Sequence, residues 1–134
     1  MKNECFLPPG EDASCPYFWP IGNRYIFLFF SHTTGSQYLL GDYNKEEHCF
    51  YPTFHGRFNF MSFLPGGVHA PSATSDGKGG VIVIHNMHTG KKSPGWRGIT
   101  TLPRKLTLDK CDTINIQPYG DYKSLRTHHQ HIDK

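Results

Sequence analysis

Gly95-Trp-Arg-Gly-Ile-Thr-Thr-Leu-Pro-Arg-Lys-Leu-Thr-Leu108 is the stretch whose reading decides the fold. Ile99 to Leu102 and Lys105 to Leu108 are built from β-branched and aliphatic residues that pack well on a pleated surface. Pro103 stands between the two runs. Proline has no N–H to give to a ladder, so the stretch predicts two consecutive short strands or one bent edge strand. Taken alone, these residues also fit an ordinary β-turn-β unit.

Similar punctuation recurs outward from this stretch. Phe18 to Pro20 reads as a short strand ended by a turn at Pro20-Ile-Gly-Asn23, and Arg24 to Phe30, an apolar run, as a strand buried on both faces. Further strands are predicted at Gln37 to Tyr43, Cys49 to Tyr51, Val68 to Thr74, Val81 to Ile84 and Thr113 to Gln117. Ser75-Asp-Gly-Lys-Gly-Gly80 lacks the Lys-Ser/Thr pair and the helix of a phosphate cradle, so it reads as a hairpin loop. Fourteen glycines and ten prolines punctuate the chain, and no window repeats apolar residues at helical spacing. The fold class expected is all β, in antiparallel meanders; short strands at this spacing suit a sandwich as well as a propeller.

Five segments in chain order carry a family resemblance. Gly95 to Leu108 is similar to a Gly-Trp-x-Gly-x-x-x-Leu-Pro-Arg-x-Leu-x-Leu signature. Ser14-Cys-Pro-Tyr-Phe-Trp-Pro-Ile-Gly22, with the run Arg24 to Ser31 after it, resembles Glu-Cys-Pro-Asp-x-x-Pro-x-Gly and its following strand. Gly41-Asp-Tyr43 resembles a Gly-x-Tyr strand end, and Val68 to Ser72 falls where a Tyr-Ala-x-Gln run is expected. Pro118 to Arg126 resembles Pro-x-x-Glu-x-x-x-Leu-Arg, with Asp121 for the Glu. These are motifs of glycoside hydrolase family 32, the invertases and fructosidases. The resemblance implies a five-bladed β-propeller that hydrolyses O-glycosyl bonds of β-fructosides or related sugars. At roughly 40–50 residues per blade, 134 residues make two to three blades. The family's Trp-x-Asn-Asp-Pro-Asn-Gly and Arg-Asp-Pro motifs, which carry the nucleophile and the transition-state stabiliser, are absent from this sequence. The expectation is therefore a fragment covering the later blades: residues 1–13 an N-terminal loop, 14–126 partial propeller, 127–134 a tail. Alone, it is expected to be inactive.

The acid position is the main departure. A retaining glycosidase pairs a nucleophilic carboxylate with a second about 5–5.5 Å away that protonates the leaving oxygen. The resemblance puts that second group directly before Cys15-Pro16, where this chain has Ser14. A serine hydroxyl cannot donate a proton near neutral pH. Glu4-Cys5 repeats the dipeptide without the strand motif after it. Asp12 lies two residues before Ser14, so in an extended chain the two project to one side, and Glu11 is the second candidate acid. Pro9-Gly-Glu-Asp-Ala-Ser14 equally fits a solvated turn. As a donor, either carboxyl is expected to have a pKa raised by the apolar wall of Tyr17, Phe18 and Trp19. The same register offers His69, Asn86 and Ser14 as groups for sugar hydroxyls, although His55, His69 and His85 each also fit a satisfied histidine at a turn. Trp96 is expected as a plug between blades rather than a sugar platform, and Arg104 as half of a cross-strand ion pair.

Other classes of function find little support. The formal net charge is +3 with basic residues scattered, which makes no nucleic-acid face. Tyr25 to Phe30 is too short to span a bilayer. Met1 to Gly10 has no apolar core of a secretion signal, which for a fragment is silent on location. The four cysteines, Cys5, Cys15, Cys49 and Cys111, have no zinc spacing and are expected as buried thiols, Cys15 as a small hydrophobe in its motif. His128, His129 and His131 read as a solvated tail, so neither metal nor cofactor is expected. A carbohydrate is the expected partner, bound for hydrolysis or, if the acid is lost, by a non-catalytic binding or scaffold propeller. Uncovered blades invite self-association, and Tyr25 to Phe30 is expected to be the segment left exposed.

Overall fold

The computed structural model describes residues 7–59, 65–90, 94–96, 98–128 and 130–132. Among them the chain forms two antiparallel sheets and no α-helix. The first sheet is an unbroken meander of β1 (Ser14–Ile21), β2 (Arg24–Ser31), β3 (Gly35–Asn44) and β4 (Cys49–Arg57), in that order. The second runs β5 (Val68–Ser75), β6 (Val81–Met87), β8 (Arg104–Leu108), β9 (Ile114–Pro118), with the short β7 (Ile99–Thr100) also on β6. The protein is all β, in antiparallel meanders consistent with part of a propeller or with a sandwich, and neither sheet closes into a barrel.

Local chemistry explains the strand ends. Ile21 pairs directly with Arg24, leaving Gly22-Asn23 as a two-residue hairpin loop in which Gly22 takes φ +57°. The Gly22 N–H donates to the Gly79 carbonyl at 2.8 Å, so the first hairpin of one sheet is tied to the glycine-rich loop of the other. β1 begins at Ser14 rather than Phe18 because Cys15-Pro16 is absorbed in a bulge, with Cys15 at φ +50°. β4 continues past Pro52 to Arg57: it is an edge strand, and Pro52 lies at a bulge opposite Gly41. Pro103 breaks one strand in two. β7 and β8 both pair with β6, and across the gap Thr101 N–H donates to His85 O at 2.8 Å and Pro103 O accepts from Tyr119 N–H at 2.9 Å. The bend is as expected, but β8 is interior, between β6 and β9.

The core lies between the sheets. Ile21, Ile26, Leu28 and Leu40 of the first meet Val81, Val83 and Leu106 of the second, all essentially inaccessible. Each such side chain contributes about 1.5–3 kcal/mol on burial. Polar ties seal the rim. Arg24 bridges Asp42 (2.7 Å) and Asp112, joining β2 and β3 to the β8–β9 turn. Lys105 pairs with Asp76 at 2.6 Å, and Asp76 Oδ1 accepts the Lys78 and Gly80 N–H groups at 2.7 Å each. The hydrogen bond from Lys105, then those from the two amides, draw the Asp76 carboxyl down to about 2. Ser75 to Gly80 is thus a hairpin loop, capped by its own aspartate.

Several expectations are corrected. Tyr25 to Phe30 is not an exposed segment: β2 is flanked by β1 and β3, and Ile26, Leu28 and Phe29 are fully buried. Cys15, Cys49 and Cys111 are exposed free thiols, Cys15 because the bulge turns it outward, while Cys5 lies outside the described residues. Trp96 is half exposed, just after the turn at residues 94–95, and the indole that packs on the core is Trp19. Arg104 makes no ion pair among the described residues; its neighbour Lys105 does. His128 and His131 are exposed, and His129 lies outside the described residues.

Candidate functional site

The start of β1 and the β2–β3 turn meet at one end of the first sheet. Ser31 Oγ accepts the Thr33 and Thr34 N–H groups at 3.2 and 3.1 Å, a tight turn that leaves the His32 N–H pointing away from the strand ladder. Asp12 takes it: Oδ1 accepts from His32 N at 3.0 Å. Oδ2 lies 2.5 Å from His32 Nδ1 and 3.2 Å from the Ser14 hydroxyl, which donates to it. A carboxylate can only accept, so the proton of this short contact sits on Nδ1. Asp12 and Ser14 do project to one side, as the alternation of an extended chain requires.

Glu11 enters a second network. Its Oε2 accepts from Thr34 Oγ1 at 2.9 Å, Thr34 Oγ1 accepts from Gln37 Nε2 at 2.8 Å, and Gln37 Oε1 lies 2.7 Å from His55 Nε2. Gln37 is fully buried, so this chain of bonds carries polarity into the sheet.

The second sheet brings histidines to the same end. Phe30 links the two halves, its ring 4.8 Å from that of His32 and 6.0 Å from that of His69. His69 stacks on His88 at 4.4 Å and is the register partner of the exposed Asn86. Deeper, His85 packs 5.2 Å from Phe58, whose N–H donates to the Ser36 carbonyl. Among the described residues, the buried side-chain atoms Glu11 Oε1, Ser36 Oγ, His69 Nδ1 and His85 Nε2 have no hydrogen-bond partner. Buried polar groups are nearly always satisfied, so such a concentration marks a place that receives water or a ligand's polar groups.

The electrostatics differ from the sequence expectation. Asp12 is drawn down to about 2, first by the His32 ring, then by Ser31, the His32 amide and Ser14. For Glu11, burial pushes upward, but Ser31, Thr34, the Arg57 charge and the Asp12 amide together hold it below its ordinary value. Neither carboxyl has the raised pKa expected of a proton donor. The expected apolar wall is split by strand alternation: Phe18 stacks on Tyr25 on the outward face, while Tyr17 and Trp19 turn to the core. Burial, helped by the charges of Arg104 and His69, pushes His85 down to about 4, so it is neutral above that pH. His69 is lowered chiefly by burial, and also by His88.

Asp12, Ser14, Glu11 and His69 are therefore brought to one junction, with Asn86 beside His69. Sequence reasoning missed Phe30, His32, Thr34 and His88. A two-residue loop at Gly22-Asn23 sets the hairpin register, which counts back to Thr33 opposite Asp12; the bulge between Ser14 and Tyr17 shifts it by one and brings His32 there instead. His88 carried no comparable signal, because only sheet packing and the β5–β6 pairing bring it there. Among the described residues no cluster of three or more His, Cys, Asp or Glu has metal-binding geometry. A groove of about 520 Å³, lined by Met87, Ile99 and Leu102 together with Thr101, Arg104 and Gln117, contains none of these site residues.

The architecture belongs to a class of all-β folds stacked from antiparallel meanders. No family model and no curated sequence matches the chain. Among solved structures it is similar to a glycoside hydrolase family 32 protein from Bifidobacterium adolescentis, with a TM-score of 0.59 and 14% identity over 84% of this chain. The likeness is one of fold. The chain spans 19% of that protein's length.

Proposed function

We propose that the chain supplies two adjacent blades of a glycosidase-type propeller, and that the Asp12–His32–Ser14 rim with His69 and Asn86 holds the hydroxyls of a carbohydrate. The observation that carries this reading is the junction itself: an ionised carboxylate, exposed imidazole and amide groups, and unpartnered buried polar atoms beside one another. Sugar recognition needs such closely set donors and acceptors, because each ring hydroxyl both gives and takes a hydrogen bond. The five sequence motifs and the fold likeness point to O-glycosyl hydrolysis, of a β-fructoside or related sugar, as the activity of the whole protein.

One observation favours a second reading, a non-catalytic carbohydrate-binding propeller. Asp12 and Glu11 are both held in their ionised forms, and a general acid must hold a proton before it can deliver one. Titrating isotope-labelled protein with a fructo-oligosaccharide tests the binding that both readings share. Shifts should concentrate at Asp12, His32, His69 and Asn86 and vanish in Asp12→Ala; shifts elsewhere, or none, would reject the site. In a longer, active form, replacing the true acid should slow poor leaving groups far more than activated aryl ones. Equal losses at Asp12→Ala and Glu11→Ala on both substrate types would leave the binding reading. The 134-residue chain alone should show no turnover of sucrose.

A further inference from the structure

Gln37 is fully buried in β3, in register with Phe29 of β2 and Arg57 of β4. An amide taken out of water costs free energy unless both its ends are hydrogen-bonded. Here both are: Nε2 lies 2.8 Å from Thr34 Oγ1 and Oε1 lies 2.7 Å from His55 Nε2. Nε2 also reaches the Gly35 carbonyl at 3.5 Å. The direction of these bonds follows from their outer end. Glu11 is ionised, so its Oε2 can only accept, and it takes the single hydroxyl proton of Thr34 at 2.9 Å. Thr34 Oγ1 must then accept from Gln37, which sets the amide nitrogen toward Thr34 and the amide oxygen toward His55. That oxygen needs a donor, so the neutral His55 ring carries its proton on Nε2. Every donor in the chain points toward Glu11.

Glu11 and Asp12 are consecutive, and they grip the β2–β3 turn at two points. Asp12 accepts the His32 amide and holds the His32 ring, while Glu11 accepts the Thr34 hydroxyl. Between these points Ser31 Oγ accepts the Thr33 and Thr34 amides. The His32 side chain is 64% exposed, so packing gives it little support and its place depends on the turn. We propose that Gln37 is a positioning residue of the carbohydrate site: the one-way relay His55–Gln37–Thr34–Glu11 holds the β2–β3 turn from within the sheet and thereby fixes His32 against Asp12. The inference rests on the reading of the Asp12–His32 rim as a sugar site. A turn ordered in advance binds more tightly than one that must be ordered by the ligand.

Ring-nitrogen chemical shifts of the isotope-labelled 134-residue chain, recorded at mildly alkaline pH, should show His55 as the Nε2–H tautomer. Glu11→Gln removes the ionised end and lets the bonds run either way, so both tautomers should appear. A role in packing alone would not move them. Gln37→Met roughly keeps the volume and removes both polar ends. It should weaken binding of a fructo-oligosaccharide about tenfold and speed amide exchange at His32. Thr34→Val should do the same, and Thr34→Ser, which restores the hydroxyl, should regain most of the loss. The β signal in circular dichroism verifies that each variant is folded, and Thr34→Val serves if Gln37→Met is not. The Nδ1–H tautomer at His55 in the wild type would overturn the proposal. So would oligosaccharide binding and His32 exchange that survive the loss of the relay, a result that would leave the sugar site itself standing. A wild-type chain that binds no oligosaccharide would overturn the sugar site and this proposal with it.

Discussion

The first sheet is continuous and the second is broken, and the contrast shows how differently two meanders can reach one core. β1 to β4 are 8, 8, 10 and 9 residues long, whereas β7, β8 and β9 are 2, 5 and 5. In the first sheet the pairing of β1 with β2 runs on through a two-residue loop. In the second, Pro103 removes a ladder donor in mid-strand and the pairing resumes only because β6 is long enough to hold both halves. Stability in the second sheet therefore rests on few side chains, with Asp76 and Lys105 clamping its first hairpin to β8.

If the sheets form one cooperative unit, Leu106→Ala in the weaker sheet and Leu28→Ala in the stronger should each lower stability by about 2–5 kcal/mol. Urea unfolding followed by tryptophan fluorescence and by circular dichroism should show one coincident transition in both variants. Two separated transitions would show that the sheets unfold independently and would break the picture of a shared core.

Next in size is the pH response of the second sheet. His85 is lowered from 6.5 to about 4, with burial as the main cause. The unfolded chain then binds more protons between these values, so the stabilising effect is complete above about pH 6.5 and is lost as pH falls toward 4. The loss is on the order of 3 kcal/mol by the usual conversion, and His85→Phe should remove it. Denaturation curves at pH 7 and pH 4.5 for both proteins check this; an equal drop in each would clear His85 of the effect.

The first sheet should respond at lower pH and by less. Asp12 sits at about 2 against an ordinary 3.8, so its contribution is present above 3.8 and disappears as pH falls to about 2. Its side chain is 41% exposed, and solvent screening limits the effect to roughly 0.5–1 kcal/mol. Asp12→Asn should flatten that part of the stability profile and loosen the β2–β3 turn, seen as faster amide exchange at His32. Unchanged exchange there would remove Asp12 as the anchor of the turn. Smallest of all is Trp96→Ala, expected within about 0.5 kcal/mol of wild type because the indole is half exposed. A loss above 2 kcal/mol would restore its role as a plug.

Strand identities were legible because they depend on local patterns. The apolar run of β2, the turn at Pro20 to Asn23, the glycine-rich turn at Ser75 to Gly80 and the break at Pro103 all follow from residues within a few positions of one another. From that pattern the sequence alone determined an all-β meander, and the alternation of extended chain put Asp12 and Ser14 on one side. Tertiary structure decided everything that needs a second sheet. Phe30 became a bridge between His32 and His69, Trp19 rather than Trp96 packed on the core, and Arg24 reached across to Asp112. It also reversed the expected pKa of Asp12. The aromatic residues beside it in sequence alternate to opposite faces of β1, while the imidazole that holds its charge comes from 20 residues away. A pKa answers to the groups nearest in space, and those are set by packing rather than by order along the chain.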